Sequence, residues 1–291
     1  MHPGKLFRQA ILKNKPLPIL GVIDAYAAKL AEFAGAQALY LSGAGVANAD
    51  FALPDLALTS MSEVVEATQK VTYASSLPLL VDIDTGFGTV LNIKRTVKMM
   101  ERAGAAALQI EDQFFSKRCG HRDGKKVVSP MKMAERITTA VNARFSDDLV
   151  IMARTDALNL ESREQVLDRC MLYIEHGADM IFLEAIQDVF DLQYITQKIP
   201  VPVLVNSTEF GKTPIQSQAY WHEHGASMVL YPLSAFRAAS KATLETFQII
   251  LATGTQASLL PNMQSRQELY QILNYETDEN MLQQMLGEEY E

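Results

Sequence analysis

The residues LVIMARTDALNLESREQVLDRCMLYIEHGADMIFLEA, numbers 149–185, contain one complete strand–helix–strand pattern. A short apolar run, 149–153, ends in polar residues and is followed by an amphipathic helical pattern. The helical pattern closes on Gly177 and Ala178, and a second apolar run follows at 180–183. Because glycine readily adopts the left-handed conformation that ends a helix, this order predicts a βαβ unit.

The same pattern recurs along the chain. Gly-Ala pairs also close helical patterns at Gly35, Gly104 and Gly225. The runs are continuously apolar rather than alternating, which is typical of parallel strands covered by helices on both faces. They occupy residues 18–23, 38–41, 79–83, 106–110, 149–153, 180–183, 201–205 and 227–230.

Eight such units predict an α/β fold, a (β/α)8 TIM barrel, within a single domain of residues 1–291. An open doubly wound sheet is the alternative, but no G-x-G-x-x-G motif follows the first run. An amphipathic stretch at 6–12 precedes the barrel. Helical patterns at 266–273 and 279–286 predict a C-terminal extension, about 255–291, that packs on a neighbouring subunit or caps the barrel mouth.

Composition narrows the classes of function. The net charge of −8 argues against a nucleic-acid partner, because binding to phosphates needs clustered cations. No apolar run approaches the roughly 20 residues that cross a bilayer, and the first residues lack a signal-peptide pattern. We therefore expect a cytoplasmic protein with a small-molecule partner and no membrane contact. Its two cysteines, Cys119 and Cys170, are expected to be thiols.

Asp82 and Asp84, in VDIDTGFG, form a D-x-D pair at the end of the third apolar run. Residues two apart on a strand point to the same side, so the two carboxylates are expected to lie together. Mg²⁺ prefers such hard oxygen ligands. Alone, the pair is weak evidence and is more often solvated or helix-capping, but catalytic groups of a barrel gather at the carboxyl ends of its strands.

A long loop after the fourth run contains FFSKRCGHRDG, residues 114–124. Cys119 has basic neighbours on both sides, including Lys117 and Arg122. We expect this setting to lower the pKa of the thiol and to let it exchange a proton near neutrality. An incidental loop thiol is the alternative interpretation. Cys170, inside a helical pattern, is expected to be a buried apolar residue.

At KRCGH, residues 117–121, the sequence resembles the isocitrate lyase and phosphoenolpyruvate mutase superfamily, and within it the enzymes that cleave 2-methylisocitrate. The resemblance covers nearly the whole chain. Its other segments are YLSGAGVA at 40–47, LPD at 53–55, LLVDIDTGFG at 79–88, IEDQ at 110–113, IMARTDA at 151–157, EAI at 184–186, TEFG at 208–211 and LYPLSAFRA at 230–238.

The resemblance implies a magnesium-dependent carbon–carbon lyase that splits a tricarboxylate, 2-methylisocitrate, into pyruvate and succinate in the methylcitrate cycle of propionate catabolism. It implies a barrel whose last helix is exchanged between subunits, usually in a homotetramer. Asp82, Asp84 and Glu111 are implied to hold Mg²⁺ directly or through water, and Cys119 to donate a proton. The substrate-binding residues implied or inferred are Ser42, Gly43, Ala44, Asp55, Gly120, His121, Arg154, Glu184, Asn206, Ser207, Thr208, Arg237 and Arg266.

The sequence departs from the family pattern at two of these positions. Relatives often have a glycine where Ala44 stands, and an aliphatic residue where Ser207 stands. The base that removes the hydroxyl proton is left open between Tyr40, which is favoured because a metal and nearby arginines would ease its ionisation, and Asp55.

Three alternatives are kept. Isocitrate lyase acts on a substrate that differs by one methyl group, worth about 1–3 kcal/mol in a pocket. The resemblance assigns the methyl pocket to Phe182, Leu230 and Pro232. A superfamily member acting on phosphonopyruvate or oxaloacetate is the second alternative, and a non-enzymatic binding barrel is the third.

Overall fold

Eight parallel strands form a closed barrel in the computed structural model, which describes residues 1–286. Each strand pairs with the next along the chain, and the last pairs with the first, for example Leu17 with Met228. The predicted (β/α)8 fold is thereby confirmed. The strands are β1 Leu17–Val22, β2 Leu39–Leu41, β3 Leu79–Asp82, β4 Ala107–Glu111, β5 Val150–Thr155, β6 Met180–Leu183, β7 Val203–Asn206 and β8 Met228–Tyr231.

Helices connect the strands and extend beyond the last one. Many begin at a Ser or Asp whose side chain accepts a backbone N–H, as Ser162 does from Gln165. In the described part of the chain they are α1 Pro3–Lys13, α2 Ala25–Phe33, α3 Gly43–Phe51, α4 Met61–Ala74, α5 Val90–Arg102, α6 Pro130–Ala143, α7 Arg163–Glu175, α8 Val189–Thr196, α9 Gln218–Glu223, α10 Ser234–Thr253, α11 Arg266–Leu273 and α12 Tyr275–Leu286.

The four Gly-Ala pairs end helices as predicted. Gly35, Gly104, Gly177 and Gly225 follow α2, α5, α7 and α9, with φ between +89° and +99°. A side chain is strained in that region, so glycine is the residue that ends each helix and returns the chain to the next strand.

Two apolar layers surround the strands. The barrel interior holds alternate strand residues such as Leu80 and Phe182, together with Phe7 and Ile11 of α1. A Cβ on Gly4 would meet the carbonyl oxygens of Asp148 and Ala106, which precede β5 and β4, so α1 packs on the amino-terminal end of the barrel. The second layer, between strands and helices, is larger. The carboxyl ends of the strands are left for polar side chains.

The chain divides into two compact units, with the second beginning at Phe236. The boundary lies inside α10, ahead of the extension predicted from about residue 255. The second unit consists of the rest of α10, a 3-10 turn at Ala257–Asn262, α11 and α12. Within it, the rings of Tyr270 and Tyr275 stack with centroids 4.3 Å apart. Helix α12 begins at Tyr275, four residues earlier than the predicted 279.

None of the helices among residues 1–286 is both long enough and apolar enough to cross a bilayer.

Candidate active site

Three carboxylates converge at the carboxyl ends of β3 and β4. One oxygen each from Asp82, Asp84 and Glu111 lies within 4.8 Å of the others, and all three side chains are buried. Asp82 is the last residue of β3, whereas Asp84 lies beyond the strand with φ +48°. The two carboxylates therefore lie in one cluster, as predicted. The carboxylate of Asp84 is turned inward by the left-handed backbone conformation of this residue, which Asp tolerates.

The cluster fits a divalent cation. Glu111 is fully buried, and its Oε1 has no hydrogen-bond partner. Burial raises the pKa of Asp84 to about 6 and raises the pKa of Glu111 well above its ordinary value. Carboxylates packed together away from water need a positive charge between them, and a hard cation with oxygen ligands meets that need.

Lys117 lies beside this cluster. Its Nζ is 2.7 Å from Asp84 Oδ1 and 2.6 Å from Asp55 Oδ1. Although burial opposes it, Asp84, followed by Glu111, raises the pKa of Lys117 well above its ordinary value. Its charge is therefore paired with carboxylates and is not free to act on the neighbouring thiol.

The predicted effect of the basic neighbours on Cys119 is wrong. Burial, with smaller contributions from Asp55 and Glu184, raises the pKa of this half-buried thiol. Lys117 is paired elsewhere, and Arg118 and Arg122 are exposed, where water screens their charge. Cys119 therefore holds its proton at neutral pH, which suits a proton donor better than a nucleophile. Cys170 is fully buried as predicted.

Tyr40 lies in the barrel interior beneath the carboxylates. Its hydroxyl is 3.0 Å from Gln109 Oε1 and 3.3 Å from Asp82 Oδ2, and it donates toward these acceptors. Burial, and then the Asp82 carboxylate, raise the pKa of Tyr40 well above its ordinary value. Arg154 lowers the pKa of Tyr40, as predicted, but burial and the carboxylates outweigh this effect. These side chains alone therefore do not ease the ionisation of Tyr40.

The first turn of α3 faces the same cluster. Ser42 is the N-cap, its side chain makes no capping hydrogen bond, and Gly43 and Ala44 are the first helical residues. Gly43 N lies 3.4 Å from Asp82 Oδ2. A Cβ on Gly43 would lie 3.4 Å from Asp84 Oδ1, so the backbone passes close to the carboxylates. The N-terminus of a helix attracts anions, because its first N–H groups have no acceptor within the helix.

Arg154, at the end of β5, is the cationic centre of the site. Its Nε and Nη2 donate to the two oxygens of Asp156 at 2.9 and 3.1 Å. Its other contacts are Glu111 Oε2 at 3.4 Å and Glu184 Oε2 at 3.3 Å. Although burial opposes it, Arg154 and a hydrogen bond from His121 lower the pKa of Glu184 to about 2. Glu184 is therefore ionised throughout the neutral range.

The residues after β7 complete this side. Asn206 Nδ2 lies 3.2 Å from Glu184 Oε2, while its buried Oδ1 has no hydrogen-bond partner and is available to a ligand. Ser207 and Thr208 follow it and are buried. The structure thus brings these three predicted residues to the same strand ends as Arg154 and Glu184.

The loop at 114–124, which we call the Cys119 loop, is seated on these residues. His121 Nε2 lies 2.8 Å from Glu184 Oε1, and His121 Nδ1 accepts the backbone N–H of Lys212 at 2.9 Å. An Nδ1 that accepts carries no proton, so the proton is on Nε2 and is donated to Glu184. A Cβ on Gly120 would lie 2.4 Å from Glu184 Cγ, which explains why a glycine follows the cysteine.

The three residues assigned to the methyl pocket are all buried. Phe182 and Leu230 belong to the apolar interior of the barrel. The Arg154 guanidinium lies 5.3 Å from the centroid of the Phe182 ring. An apolar surface therefore lies directly against the main cation of the site.

Two predicted residues are in the second unit, and two residues with contacts in the site were not predicted from the sequence. Arg237 belongs to α10 and Arg266 begins α11, and their contact with substrate stays a prediction. The missed residues are Lys125, which contacts Gly120 and Asp156, and Lys212. Nothing in the sequence distinguishes Lys125 from its neighbour Lys126.

The comparison with known families agrees with this geometry. The sequence profile of the phosphoenolpyruvate phosphomutase family matches residues 7–251. The chain belongs to this family. Its relatives include a protein from Shewanella oneidensis that is named 2-methylisocitrate lyase. The two sequences are 48% identical over 286 residues, which cover 98% of each chain.

Two solved structures have the same fold. The structure of a 2,3-dimethylmalate lyase is 30% identical, with a TM-score of 0.89 over 98% of this chain and 96% of that one. The structure of a phosphonopyruvate hydrolase with oxalate and Mg²⁺ is 28% identical, with a TM-score of 0.85 over 98% of this chain and 100% of that one. One fold thus serves several reactions of small carboxylates.

Proposed function

We propose that this chain is a 2-methylisocitrate lyase, which splits the C2–C3 bond of 2-methylisocitrate to give pyruvate and succinate. The observation that carries the proposal is its 48% identity to a 2-methylisocitrate lyase over 98% of both chains. A second relative of that name, from Vibrio cholerae, is 46% identical over 99% of this chain. The converging carboxylates, arginine and thiol supply the groups that such a cleavage needs.

Asp82, Asp84 and Glu111 would hold Mg²⁺. Support comes from the buried, unpartnered Glu111 oxygen, the raised pKa values of Asp84 and Glu111, and the Mg²⁺ named in the phosphonopyruvate hydrolase structure. A bound Mg²⁺ supplies Lewis-acid stabilisation of negative charge on substrate oxygens.

The chain's own residues would orient the tricarboxylate. The start of α3, at Gly43 and Ala44, suits one carboxylate, because the first N–H groups of a helix have no acceptor within the helix. Arg154 suits a second, because its guanidinium is held rigidly by Asp156. We assign further substrate contacts to Ser42, Gly120, Glu184, Asn206, Ser207, Thr208, Arg237 and Arg266.

The bond cleavage requires two proton transfers. A base accepts the hydroxyl proton, the electrons of the C2–C3 bond pass to C3, and Cys119 donates its proton to C3 of the succinate fragment. The raised pKa of Cys119 supports this role, since an acid must be protonated before it acts. For the base we retain Tyr40, whose hydroxyl contacts Asp82 of the carboxylate cluster, and Asp55, whose carboxylate is paired with Lys117 beside that cluster.

The decisive experiment compares two substrates with the purified protein and Mg²⁺. We expect pyruvate formation from 2-methylisocitrate to be far faster than glyoxylate formation from isocitrate. The reverse preference would indicate an isocitrate lyase, and turnover only of phosphonopyruvate or oxaloacetate would indicate another reaction of the superfamily. Cys119→Ser should lose turnover while it still binds substrate in the presence of Mg²⁺.

We also propose a cytoplasmic homotetramer in which a C-terminal helix is exchanged between subunits. No residue of α10 is buried in the single chain, and Leu244, Phe247 and Leu251 are exposed on it. Such an apolar surface is normally covered by another protein surface. Light scattering after size-exclusion chromatography tests the proposal, and a monomer at micromolar concentration would refute it.

A further inference from the structure

Two adjacent lysines directly after the Cys119 loop have opposite environments. Lys126 is exposed, whereas the side chain of Lys125 is only 2% exposed. Lys125 Nζ lies 2.9 Å from the Gly120 carbonyl oxygen and 3.3 Å from Asp156 Oδ1. A buried ammonium is costly unless its hydrogen bonds are made, so its position is tied to these two acceptors.

The two acceptors belong to different parts of the site. Gly120 is the peptide neighbour of Cys119, so its carbonyl fixes the backbone that carries the thiol. Asp156 follows β5 and holds Arg154 by two hydrogen bonds. One ammonium therefore connects the backbone next to Cys119 to the carboxylate that orients Arg154.

The packing of Gly120 agrees with this connection. A Cβ at this position would lie 2.7 Å from Asp156 Oδ1 and 2.6 Å from Arg154 Nη2, so the loop backbone is seated directly on that pair. If the loop lifted, Lys125 would lose the Gly120 carbonyl or the Asp156 carboxylate. The interaction thus favours the seated loop over the lifted one.

We propose that Lys125 is a positioning residue that holds the Cys119 loop on the Arg154–Asp156 pair and so sets the place of the Cys119 thiol. The inference rests on the proposed function for the proton-donor role of Cys119. It assigns Lys125 no contact with substrate and no proton transfer of its own. Lys117, on the same loop, reaches Asp55 and Asp84 and seats a different part of it.

The test uses Lys125→Met, which keeps the length of the side chain and removes the charge, with Lys126→Met as the matched control. The rate at which iodoacetamide alkylates Cys119 at mildly alkaline pH is measured by mass spectrometry. The fully buried Cys170 is the internal reference. kcat, KM and the solvent deuterium isotope effect on kcat are measured with 2-methylisocitrate and Mg²⁺.

We expect Lys125→Met to be alkylated faster at Cys119 and to lose about ten- to a hundredfold in kcat, the range that corresponds to one charged hydrogen bond. KM should change little, and the isotope effect should grow as protonation becomes slower. Lys126→Met should match the wild type in every measurement. A role in stability alone would lower the melting temperature without raising the isotope effect.

An alkylation rate or a kcat of Lys125→Met equal to that of the wild type overturns the proposal. Should Lys125→Met not fold, as judged by circular dichroism, Lys125→Gln, which retains one side-chain donor group, is measured against the same criteria. A wild-type protein without lyase activity would refute the proposed function instead, and the alkylation rates would still decide whether Lys125 seats the loop.

Discussion

Arg154 and Asp156 are joined by two parallel hydrogen bonds, from Nε to Oδ2 at 2.9 Å and from Nη2 to Oδ1 at 3.1 Å. Both side chains are buried, and Arg154 also lies near Glu111 and Glu184. The planar guanidinium is thus fixed in orientation before any ligand arrives. A fixed cation loses little freedom on binding a carboxylate, which favours tight and oriented binding.

Arg154→Lys should therefore be a severe substitution although it keeps the charge. A lysine ammonium cannot reproduce the two parallel bonds, so the new side chain loses its fixed orientation. We expect kcat/KM for pyruvate formation to fall by about two orders of magnitude, as expected for the loss of a buried charged hydrogen bond. Arg163→Lys, at a half-exposed pair with Asp191, is the control and should change little. Equal effects of the two substitutions would contradict the special role of Arg154.

The carboxylate cluster makes a separate prediction about the metal. Asp82→Asn and Asp84→Asn should each lower the affinity for Mg²⁺ or Mn²⁺ by about ten- to a hundredfold or more, because each removes a charged oxygen ligand. Isothermal titration calorimetry measures the affinity directly and does not depend on turnover. Asp147→Asn, whose side chain is fully exposed, is the matched control. Unchanged affinity in both cluster variants would place the metal elsewhere.

The sequence predicted the barrel well because its elements depend on local patterns. All eight apolar runs became strands. β6 has the predicted bounds, since a continuous apolar run that follows a helix and a Gly-Ala pair leaves few alternatives. The unit boundary at Phe236 was not foreseen because it lies inside the regular helix α10, where no change of composition marks it.

Charge interactions in the site were harder to predict, because they depend on which side chain is buried beside which. The basic residues around Cys119 suggested a lowered pKa, but Lys117 turns to Asp55 and Asp84, so burial dominates at the thiol. Lys125 and Lys126 cannot be distinguished in the sequence, and only the folded loop makes one of them a buried link. The convergence of Asp82, Asp84 and Glu111 was expected because strand ends meet at one edge of a barrel.

The raised pKa of Cys119 predicts its reactivity with pH. A raised pKa means that the thiol stays protonated through the neutral range and becomes a thiolate only at more alkaline pH than in the unfolded chain. We expect the rate of alkylation by iodoacetamide to rise with pH at a midpoint above that of the same protein in denaturant. Cys119→Ser should remove the labelling under native conditions, since Cys170 is fully buried. A native midpoint below the denatured one would restore the lowered pKa suggested by the basic neighbours.

Gly120→Ala should displace the Cys119 loop through contact rather than backbone strain. Its φ is not in the left-handed region, but the added Cβ would lie 2.4 Å from Glu184 Cγ and 2.6 Å from Arg154 Nη2. Overpacking of this kind costs about 1–3 kcal/mol. We expect the loop to lift and relieve this contact, so that the cost appears as a fall in kcat of about ten- to a hundredfold, with little change in melting temperature. Ser116→Ala, at an exposed position of the same loop, should leave both quantities as in the wild type. A lower melting temperature with unchanged kcat would mean that the loop cannot lift and that Gly120 serves the stability of the fold. The two measurements together therefore separate positioning of the thiol from packing of the barrel mouth.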